Sequence, residues 1–396
     1  MARTKEPILI IANPTAGAGA GRASRTRALE AAKHDLQRHG HAVHIGVEVE
    51  PRAVRERAQA AAEGGATIVV AAGGDGTVNA VVNGLMRASE GGPSPVQLGV
   101  LPMGTGNVFA FNLGLRRGWR EACGVIRRGH TRQIDVGLAV PAPGARGPRK
   151  VGMEASDELP SARHFVLMAG IGFDAKVIED TSLRLKFVLR DYAYAIRSLQ
   201  NAVVHRGAQM RFTFEEGTVF EGESWMAMAG NAASYAWAIR FTERAELDDG
   251  LLDLCIFPFE NKLVSVQQVM QLLMGQHLES GAVEYWKTRG VLVESDPPVP
   301  VQLDGDEWGT TPLELKLLPG VLKVLAPPEG GEAGEGEFGN GEAERTDTES
   351  VDESPVESET REAIQSEIRR HEVREAVAKE LERAARVGAE GWTKPI

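Results

Sequence analysis

A glycine-rich segment between a strand-like run and a helix-like run constrains the fold of this chain more than any other feature. Residues 66–72 read ATIVVAA, a short, apolar and partly β-branched run that is typical of a buried parallel strand. Residues 73–79 read GGDGTVN, and the apolar residues that follow recur at helical spacing, so we expect a helix to begin near Thr77. Backbone N–H groups at such a junction, together with the helix dipole, favour a bound anion. The segment therefore predicts an α/β domain that binds a phosphate group.

Asp75 lies within this glycine-rich segment. Its negative charge would repel a phosphate group placed directly against it. A carboxylate in this position suits Mg²⁺, or a water molecule on Mg²⁺, that bridges to phosphate oxygens. We therefore expect the phosphate ligand to bind together with Mg²⁺.

Strand-like and helix-like patterns alternate through the first third of the chain, which predicts a doubly wound parallel sheet. Two further glycine-bearing loops each follow a predicted strand, at residues 13–19 (NPTAGAG) and 101–107 (LPMGTGN). Because ligands bind at the carboxyl ends of the strands in such sheets, we expect all three loops along one edge. The predicted elements are strands at 8–12, 43–49, 66–72 and 96–101 and helices at 25–39 and 51–62.

The alternation of strand-like and helix-like patterns ends after Arg132, so we place a domain boundary near residue 133. Residues 134–328 contain two helical patches, at 191–204 and 263–277, and many short strand-like runs. The strand-like runs are at 165–169, 208–215, 225–229, 251–257, 290–294, 300–303, 313–317 and 321–325. Short strands at this spacing predict a largely antiparallel β-sandwich, whose last strands are free to return to the first domain. We expect three regions in total, at residues 1–133, 134–328 and 329–396.

The acidic residues of the chain are concentrated in its last region. The net charge is −11, of which −10 falls in residues 329–396, so overall charge argues neither for nor against a nucleic-acid or membrane partner. Residues 329–355 are rich in Gly, Glu, Ser and Thr, and we expect them to be disordered. Residues 360–386 carry an interrupted apolar stripe, which favours a solvated charged helix over one that docks a protein partner or forms a homodimer.

The sequence shows no evident secretory signal or membrane-spanning segment. The apolar run at residues 8–12 is too short for a signal, and residues 91–115 are interrupted by prolines and glycines. Cys123 and Cys255 both lie in apolar runs, as in a reduced protein. We expect a cytoplasmic protein whose membrane contact is peripheral.

The three glycine-bearing loops and several later motifs resemble the catalytic domain of the diacylglycerol kinase family. This family includes bacterial diacylglycerol kinases, related lipid kinases and sphingosine kinases. The similarity covers residues 7–327 and keeps the family's order of motifs. It is carried by NPxxG, GGDGTVNAVVNGL and LPMGTGNVFAFNLGL, then by IDVG at 134–137, AGIGFDA at 169–175, AELDDGLLD at 245–253 and LDGD at 303–306.

The resemblance implies transfer of the γ-phosphoryl group of ATP to a lipid hydroxyl, with Mg²⁺. It implies a nucleotide-binding domain at 1–133 and a lipid-binding β-sandwich at 134–328. Asp75 and Asp135 are similar to the family's carboxylates near the ATP-bound Mg²⁺. The implied nucleotide contacts are Asn13, Pro14, Thr15, Ala16, Gly17, Gly74, Asp75, Gly76, Thr77, Val78, Asn79 and Thr105.

The Asp304-Gly305-Asp306 turn lies where the family has an Asp-Gly-Glu whose Glu accepts the proton of the lipid hydroxyl. Asp306 is one methylene shorter than that Glu, so the sequence leaves open whether its carboxylate reaches the lipid hydroxyl. Asp304 or Glu307 could share the role. Taken alone, Asp-Gly between strands is most often a hairpin turn.

The resemblance also implies a second, structural Mg²⁺ site after residue 245. The side chain of Asp249 and the backbone carbonyls of Glu246 and Leu251 would be its ligands. From the residues alone, an Asp-Gly turn is an equally good interpretation of this segment.

Two other functions remain open at the level of sequence. An NAD kinase shares the GGDGT loop, although the PMGTGN loop and the LDDG segment match lipid kinases better. A non-catalytic lipid-binding protein that keeps the fold is the other alternative, and Asp306 is its only support. Residues 183–199 combine aromatic and basic side chains and are a candidate for contact with lipid at a membrane surface. We expect no nucleic-acid partner.

Overall fold

The computed structural model describes residues 5–14, 22–116, 118–147, 161–172, 207–235 and 239–328. Four of the sequence-based expectations lie outside the described residues. They are the nucleotide contacts Thr15, Ala16 and Gly17, the helical patch at 191–204, the lipid-contact segment at 183–199, and the region 329–396.

The N-terminal part of the chain forms a parallel sheet, as predicted, and its four strands lie side by side in the order second, first, third and fourth along the chain. Its strands are β1 (Lys5–Ala12), β2 (His41–Val47), β3 (Ile68–Gly73) and β4 (Gln97–Pro102). Its helices are α1 (Arg22–Arg38), α2 (Pro51–Glu63), α3 (Asp75–Ala88), α4 (Val108–Asn112) and α5 (Trp119–Arg128).

Burial and close helix packing explain why this sheet is stable. All six residues of β3 are buried, as a central strand with helices on both faces requires. Helix α3 lies directly on α2, because a Cβ atom at Gly84 would lie 2.3 Å from the backbone oxygen of Arg55. The absence of a side chain at Gly84 therefore lets α3 pack closely against α2.

The C-terminal part is built mainly from antiparallel strands, which confirms the predicted β-sandwich class. Its buried core includes Phe165, Phe212, Leu254, Val293 and Leu315. The elements are β5 (Thr131–Pro141), β6 (Arg163–Phe165), β7 (Met168–Ile171), β8 (Ala208–Phe214), β9 (Val219–Gly230), β10 (Leu252–Pro258), α6 (Lys262–Leu273), β11 (Glu284–Thr288), β12 (Gly290–Asp296), β13 (Pro300–Leu303), β14 (Asp306–Thr310) and β15 (Leu313–Leu325).

Strand β15 joins the two parts of the sheet. Its first half pairs antiparallel with β12 and β5, and its end pairs parallel with β4 through Lys323–Gln97 and Val324–Leu98. A bulge between Leu318 and Leu322 separates the two halves. The last strand of the chain's C-terminal part thus returns to the parallel sheet by pairing with β4.

Several elements differ from the sequence-based expectation. Residues 313–317 and 321–325 form one bulged strand instead of two, and β5 runs without a break through residue 133. The expected strand at 165–169 is divided into β6 and β7. Strands β11 (EYWKT) and β14 (DEWGT) are additions to the expected set, because neither shows an alternation of apolar and polar residues.

No helix within the described ranges is long and apolar enough to cross a membrane.

Candidate active site

The carboxyl ends of β1, β3 and β4 bring the three glycine-bearing loops to one edge of the sheet. The Asn13 N–H donates to the Ala72 carbonyl at 3.0 Å, and the Met103 N–H donates to the Gly73 carbonyl at 2.9 Å. The first and third loops therefore begin on either side of the second, as predicted.

The second and third loops pack backbone against backbone. A Cβ atom at Gly104 would lie 2.4 Å from the Cα atom of Gly74, so a side chain there would push the loops apart. The Asn107 side chain closes the third loop, since its Oδ1 accepts from Gly104 N–H and its Nδ2 donates to Gly104 oxygen, both at 2.9 Å. Thr105 is exposed on this loop. Gly76 faces open space, because a Cβ atom added there would meet no other atom within 4 Å.

Not all of the predicted nucleotide contacts can use their side chains. Thr77 and Val78 are buried, and a Cβ at Gly73 would lie 2.3 Å from the Thr77 Oγ1 atom. The N–H groups of Thr77 and Val78 donate to the Gly74 carbonyl at 3.0 and 3.1 Å. Contact with an anion at this helix end is therefore left to the exposed backbone around Gly76.

Asp75 connects the second loop to the start of α4. Its Oδ1 accepts the Phe109 N–H at 2.9 Å, and a Cβ at Gly106 would lie 3.1 Å from its Oδ2. Burial raises the pKa of Asp75, although nearby backbone N–H groups pull it down. Among the described residues no basic side chain pairs with Asp75, so its charge can serve a divalent cation. The residue fits the predicted Mg²⁺ role.

Asp304 anchors the Asp-Gly-Asp turn to the nucleotide-side helix α3. Its two carboxylate oxygens accept the N–H groups of Val166, Leu167 and Met168 at 2.9–3.0 Å and the Asn79 side-chain amide at 2.7 Å. Burial raises the pKa of Asp304, while these four hydrogen bonds pull it down. They also explain why the chain turns between β6 and β7. Asp304 itself adopts a left-handed backbone, with φ of 50°.

Asp306 lies on the same turn but is 56% exposed. The Arg163 Nη2 donates to its Oδ2 at 2.5 Å and also to the Asn79 Oδ1 at 3.0 Å. Asn79 therefore contacts Asp304 directly and Asp306 through Arg163. This arrangement places an exposed carboxylate beside the helix that follows the glycine-rich loop.

Arg163 and Asn83 were not identified from the sequence as parts of this arrangement. Arg163 holds Asp306, while Asn83 donates to the His164 carbonyl and accepts its N–H, both at 3.0 Å. Asn79 and Asn83 are both buried and lie one helical turn apart. Two asparagines at this spacing on a buried helix face were the available signal, since buried amides need partners.

The structure does not bring Asp75 and Asp135 together, which corrects the expectation that both flank one Mg²⁺. The carboxylate of Asp135 accepts the N–H groups of Gly250 and Gly320, each at 2.7 Å. Gly320 precedes Val321, whose carbonyl accepts the Ser94 N–H just before β4 begins. Asp75 lies at the other end of β4, where its carboxylate accepts the Phe109 N–H. The IDVG motif could not show this, because the bulge in β15 sets where Asp135 points.

At the predicted second metal site, the structure gives the Asp249 carboxylate a lysine partner. The Lys287 ammonium lies 2.8 Å from the Asp249 Oδ2, and the Leu251 N–H donates to its Oδ1 at 3.0 Å. A divalent cation here would stand beside a positive charge, which repels it. Asp249, Glu246 and Leu251 thus do not fit the expected Mg²⁺.

Both parts of the chain match known protein families. The family model for the diacylglycerol kinase catalytic domain matches residues 7–139, and that for the YegS C-terminal NAD kinase beta sandwich-like domain matches residues 168–326. A probable lipid kinase YegS-like protein of Chromohalobacter salexigens is 32% identical over 69% of this chain and 80% of its own length. A diacylglycerol kinase of Staphylococcus aureus is 29% identical over 66% of this chain and 74% of its own length.

Solved structures share the fold. A crystal structure from Bacillus anthracis matches with a TM-score of 0.64 and 22% identity, over 83% of this chain and 97% of that one. The crystal structure of a diacylglycerol kinase from the same organism matches with a TM-score of 0.56 and 21% identity, over 82% and 97%. At these identities the likeness concerns the fold alone.

Proposed function

The chain belongs to the diacylglycerol kinase family, which includes lipid kinases, and from this premise we propose that it is an ATP-dependent lipid kinase. It transfers the γ-phosphoryl group of ATP to the hydroxyl of a diacylglycerol-like or sphingoid-like lipid. One observation carries the proposal. Asn79, which ends the glycine-rich segment, bonds to Asp304 and reaches Asp306 through Arg163. A phosphate-binding loop and an exposed carboxylate are thereby fixed beside each other.

The three loops bind the nucleotide in this proposal. The phosphates lie against the backbone at Gly74 and Gly76, where the absence of side chains lets an anion approach the start of α3. Asn13 and Pro14 at the end of β1 and Thr105 on the third loop border the same edge. Phosphoryl transfer depends chiefly on positioning and charge neutralisation, which such loops supply.

Asp75 is the residue that would hold Mg²⁺. When bound, Mg²⁺ neutralises negative charge on the phosphate oxygens. Asp75 is held in place by the Phe109 N–H and has no basic partner in the described ranges, so its carboxylate is available to a cation. Asp135 has no part in this, since both of its oxygens are bound by backbone N–H groups elsewhere.

Asp306 is the proton acceptor for the lipid hydroxyl in this proposal. It is the exposed carboxylate of the turn, whereas Asp304 uses both oxygens in hydrogen bonds and acts as a positioning residue. Arg163 fixes the direction of the Asp306 side chain, which is one methylene shorter than the Glu that is usual in the family. The lipid hydroxyl must reach Asp306 from the outside, which fits a substrate taken at a membrane surface by a peripherally bound enzyme.

The test is a transfer reaction with γ-³²P-labelled ATP. The full-length protein is incubated with Mg²⁺, a total lipid extract and, separately, NAD, with an EDTA-treated sample as control. We expect Mg²⁺-dependent label in the organic phase and identify the product by chromatography. Label in NADP instead would assign an NAD kinase, to which the C-terminal family match also relates by fold. Lipid binding without any turnover would show a non-catalytic protein and overturn the proposal.

A further inference from the structure

Lys287 binds three oxygen atoms at the loop where the family likeness implies a metal. Its ammonium lies 2.8 Å from the Asp249 Oδ2, 3.3 Å from the Arg244 carbonyl oxygen and 3.6 Å from the Asp253 Oδ2. An ammonium group has three donors and no acceptor; two of these oxygens accept its hydrogen bonds, and the Asp253 carboxylate adds an ion pair. The coordination is that of a cation held by carboxylate and carbonyl ligands.

The β-sheet holds Lys287 in this position. Lys287 on β11 lies directly opposite Asp253 on β10 in the antiparallel register. The Tyr285 hydroxyl, two residues earlier on β11, donates to the Asp253 Oδ1 at 2.7 Å. Cross-strand neighbours of opposite charge attract each other, so the register itself directs the ammonium to the loop.

Asp253 requires a positive partner. Its side chain has no solvent exposure, and its Oδ2 has no hydrogen bond within the described residues. An unpaired buried carboxylate is costly, and Lys287 supplies the compensating charge. Partial burial alone would lower the pKa of Lys287, but Asp249 and Asp253 outweigh it and raise that pKa.

The other acidic groups nearby are also compensated. Arg132 forms two hydrogen bonds of 2.5 and 2.6 Å to Asp248, and Asp135 is held by Gly250 and Gly320. The aspartates that surround this loop therefore have partners from the protein itself, whereas a metal site would need ligands turned toward a common centre.

We propose that the Lys287 ammonium is the resident cation of this loop and that residues 244–253 fold without a divalent ion. The charge of the lysine takes the place that Mg²⁺ would fill, and the two cations exclude each other by repulsion. The inference concerns the folding of the C-terminal part, and its test uses no nucleotide. Its outcome is therefore separate from that of the proposed kinase activity.

Thermal unfolding of the full chain, in EDTA and in MgCl₂, tests this proposal. Lys287→Met removes the charge and keeps most of the volume. Lys316→Met is the matched control, because Lys316 forms an exposed ion pair of 2.9 Å with Glu314. We expect the wild type to melt at the same temperature with and without Mg²⁺. We expect Lys287→Met to melt at least about 3 °C below Lys316→Met.

Two results of thermal unfolding would overturn the proposal. One is stabilisation of the wild type by Mg²⁺ that disappears in Asp249→Asn, which would place the metal at this loop. The other is a Lys287→Met variant that melts with the Lys316→Met control. If Lys287→Met fails to fold, Lys287→Arg replaces it and should keep the wild-type melting temperature in EDTA. Elemental analysis of dialysed wild-type protein should find Mg²⁺ well below one equivalent, and a full equivalent lost in Asp249→Asn would again contradict the inference.

Discussion

The side-chain amide of Asn79 donates a 2.7 Å hydrogen bond to the carboxylate of Asp304, 225 residues further along the chain. The oxygen of the same amide accepts from Arg163, which in turn holds Asp306. One buried asparagine thus orders both carboxylates of the Asp-Gly-Asp turn from the first turns of α3. The nucleotide-side helix and the candidate base are therefore parts of one hydrogen-bonded unit.

Removal of the Asp304 carboxylate should destabilise the protein. In Asp304→Ala three backbone N–H groups and the Asn79 amide lose their acceptor, so we expect the free energy of unfolding to fall by about 3 to 5 kcal/mol. Urea unfolding measures the change. Asp306→Ala is the matched control on the same turn, because Asp306 is exposed and should cost less than about 1 kcal/mol. Equal losses in both variants would contradict the anchoring role.

Two alanine substitutions in the glycine loops should separate packing from ligand binding. Gly104→Ala places a Cβ against the Gly74 backbone and should lower the free energy of unfolding by about 1 to 3 kcal/mol. Gly76→Ala meets open space and should keep the stability. It should nevertheless weaken ATP binding at least about tenfold, because a methyl group would stand where phosphate approaches the backbone. Calorimetric titration with ATP measures the affinity. Unchanged affinity in Gly76→Ala would show that the phosphates bind elsewhere.

The stability of the protein should fall in mild acid through His164. Burial, and then the charge of Arg87, lowers the pKa of His164 to about 4, so the folded protein binds this proton less readily than the unfolded chain. Stability is therefore lost as the pH falls from the unfolded pKa of 6.5 toward 4. Relative to His164→Gln, the wild type should lose about 1 to 2 kcal/mol between about pH 7 and about pH 5.

Comparison with this variant is needed because buried carboxylates act in the opposite direction. Burial raises the pKa values of Asp135 and Asp253, so these groups favour the folded state as acid protonates them. Parallel pH profiles for the wild type and His164→Gln, measured by urea unfolding, would show that His164 is not the titrating group.

Asp306→Asn should lower the turnover number of lipid phosphorylation by about 100-fold or more, with little change in the KM for ATP, because proton transfer is lost while nucleotide binding is kept. Asp306→Glu should retain activity, since it restores the longer carboxylate that is usual in the family. Steady-state rates, with the lipid that the labelling experiment identifies as substrate, measure both variants. Turnover in Asp306→Asn within a few fold of wild type would assign the base to another group.

The sequence predicted the parallel sheet and the shared edge of the three loops because these depend on local patterns. Buried strands, helix starts and glycine turns are encoded within a few residues of each other. It did not predict that Arg163 holds Asp306, that Lys287 holds Asp249, or that Asp135 points away from Asp75. These contacts depend on strand register and on a bulge in β15, which bring together residues far apart in the chain.

The Mg²⁺-dependent transfer of label from γ-³²P-ATP to lipid, compared between wild type and Asp75→Asn, tests the central claim most directly. Asn keeps an acceptor for the Phe109 N–H but lacks the charge that would hold Mg²⁺, so the fold should survive. Glu63→Gln removes one negative charge from the exposed end of α2 and serves as control. We predict labelled lipid from the wild type and Glu63→Gln and none from a folded Asp75→Asn. Full transfer by Asp75→Asn, or no transfer by the wild type, would contradict the account.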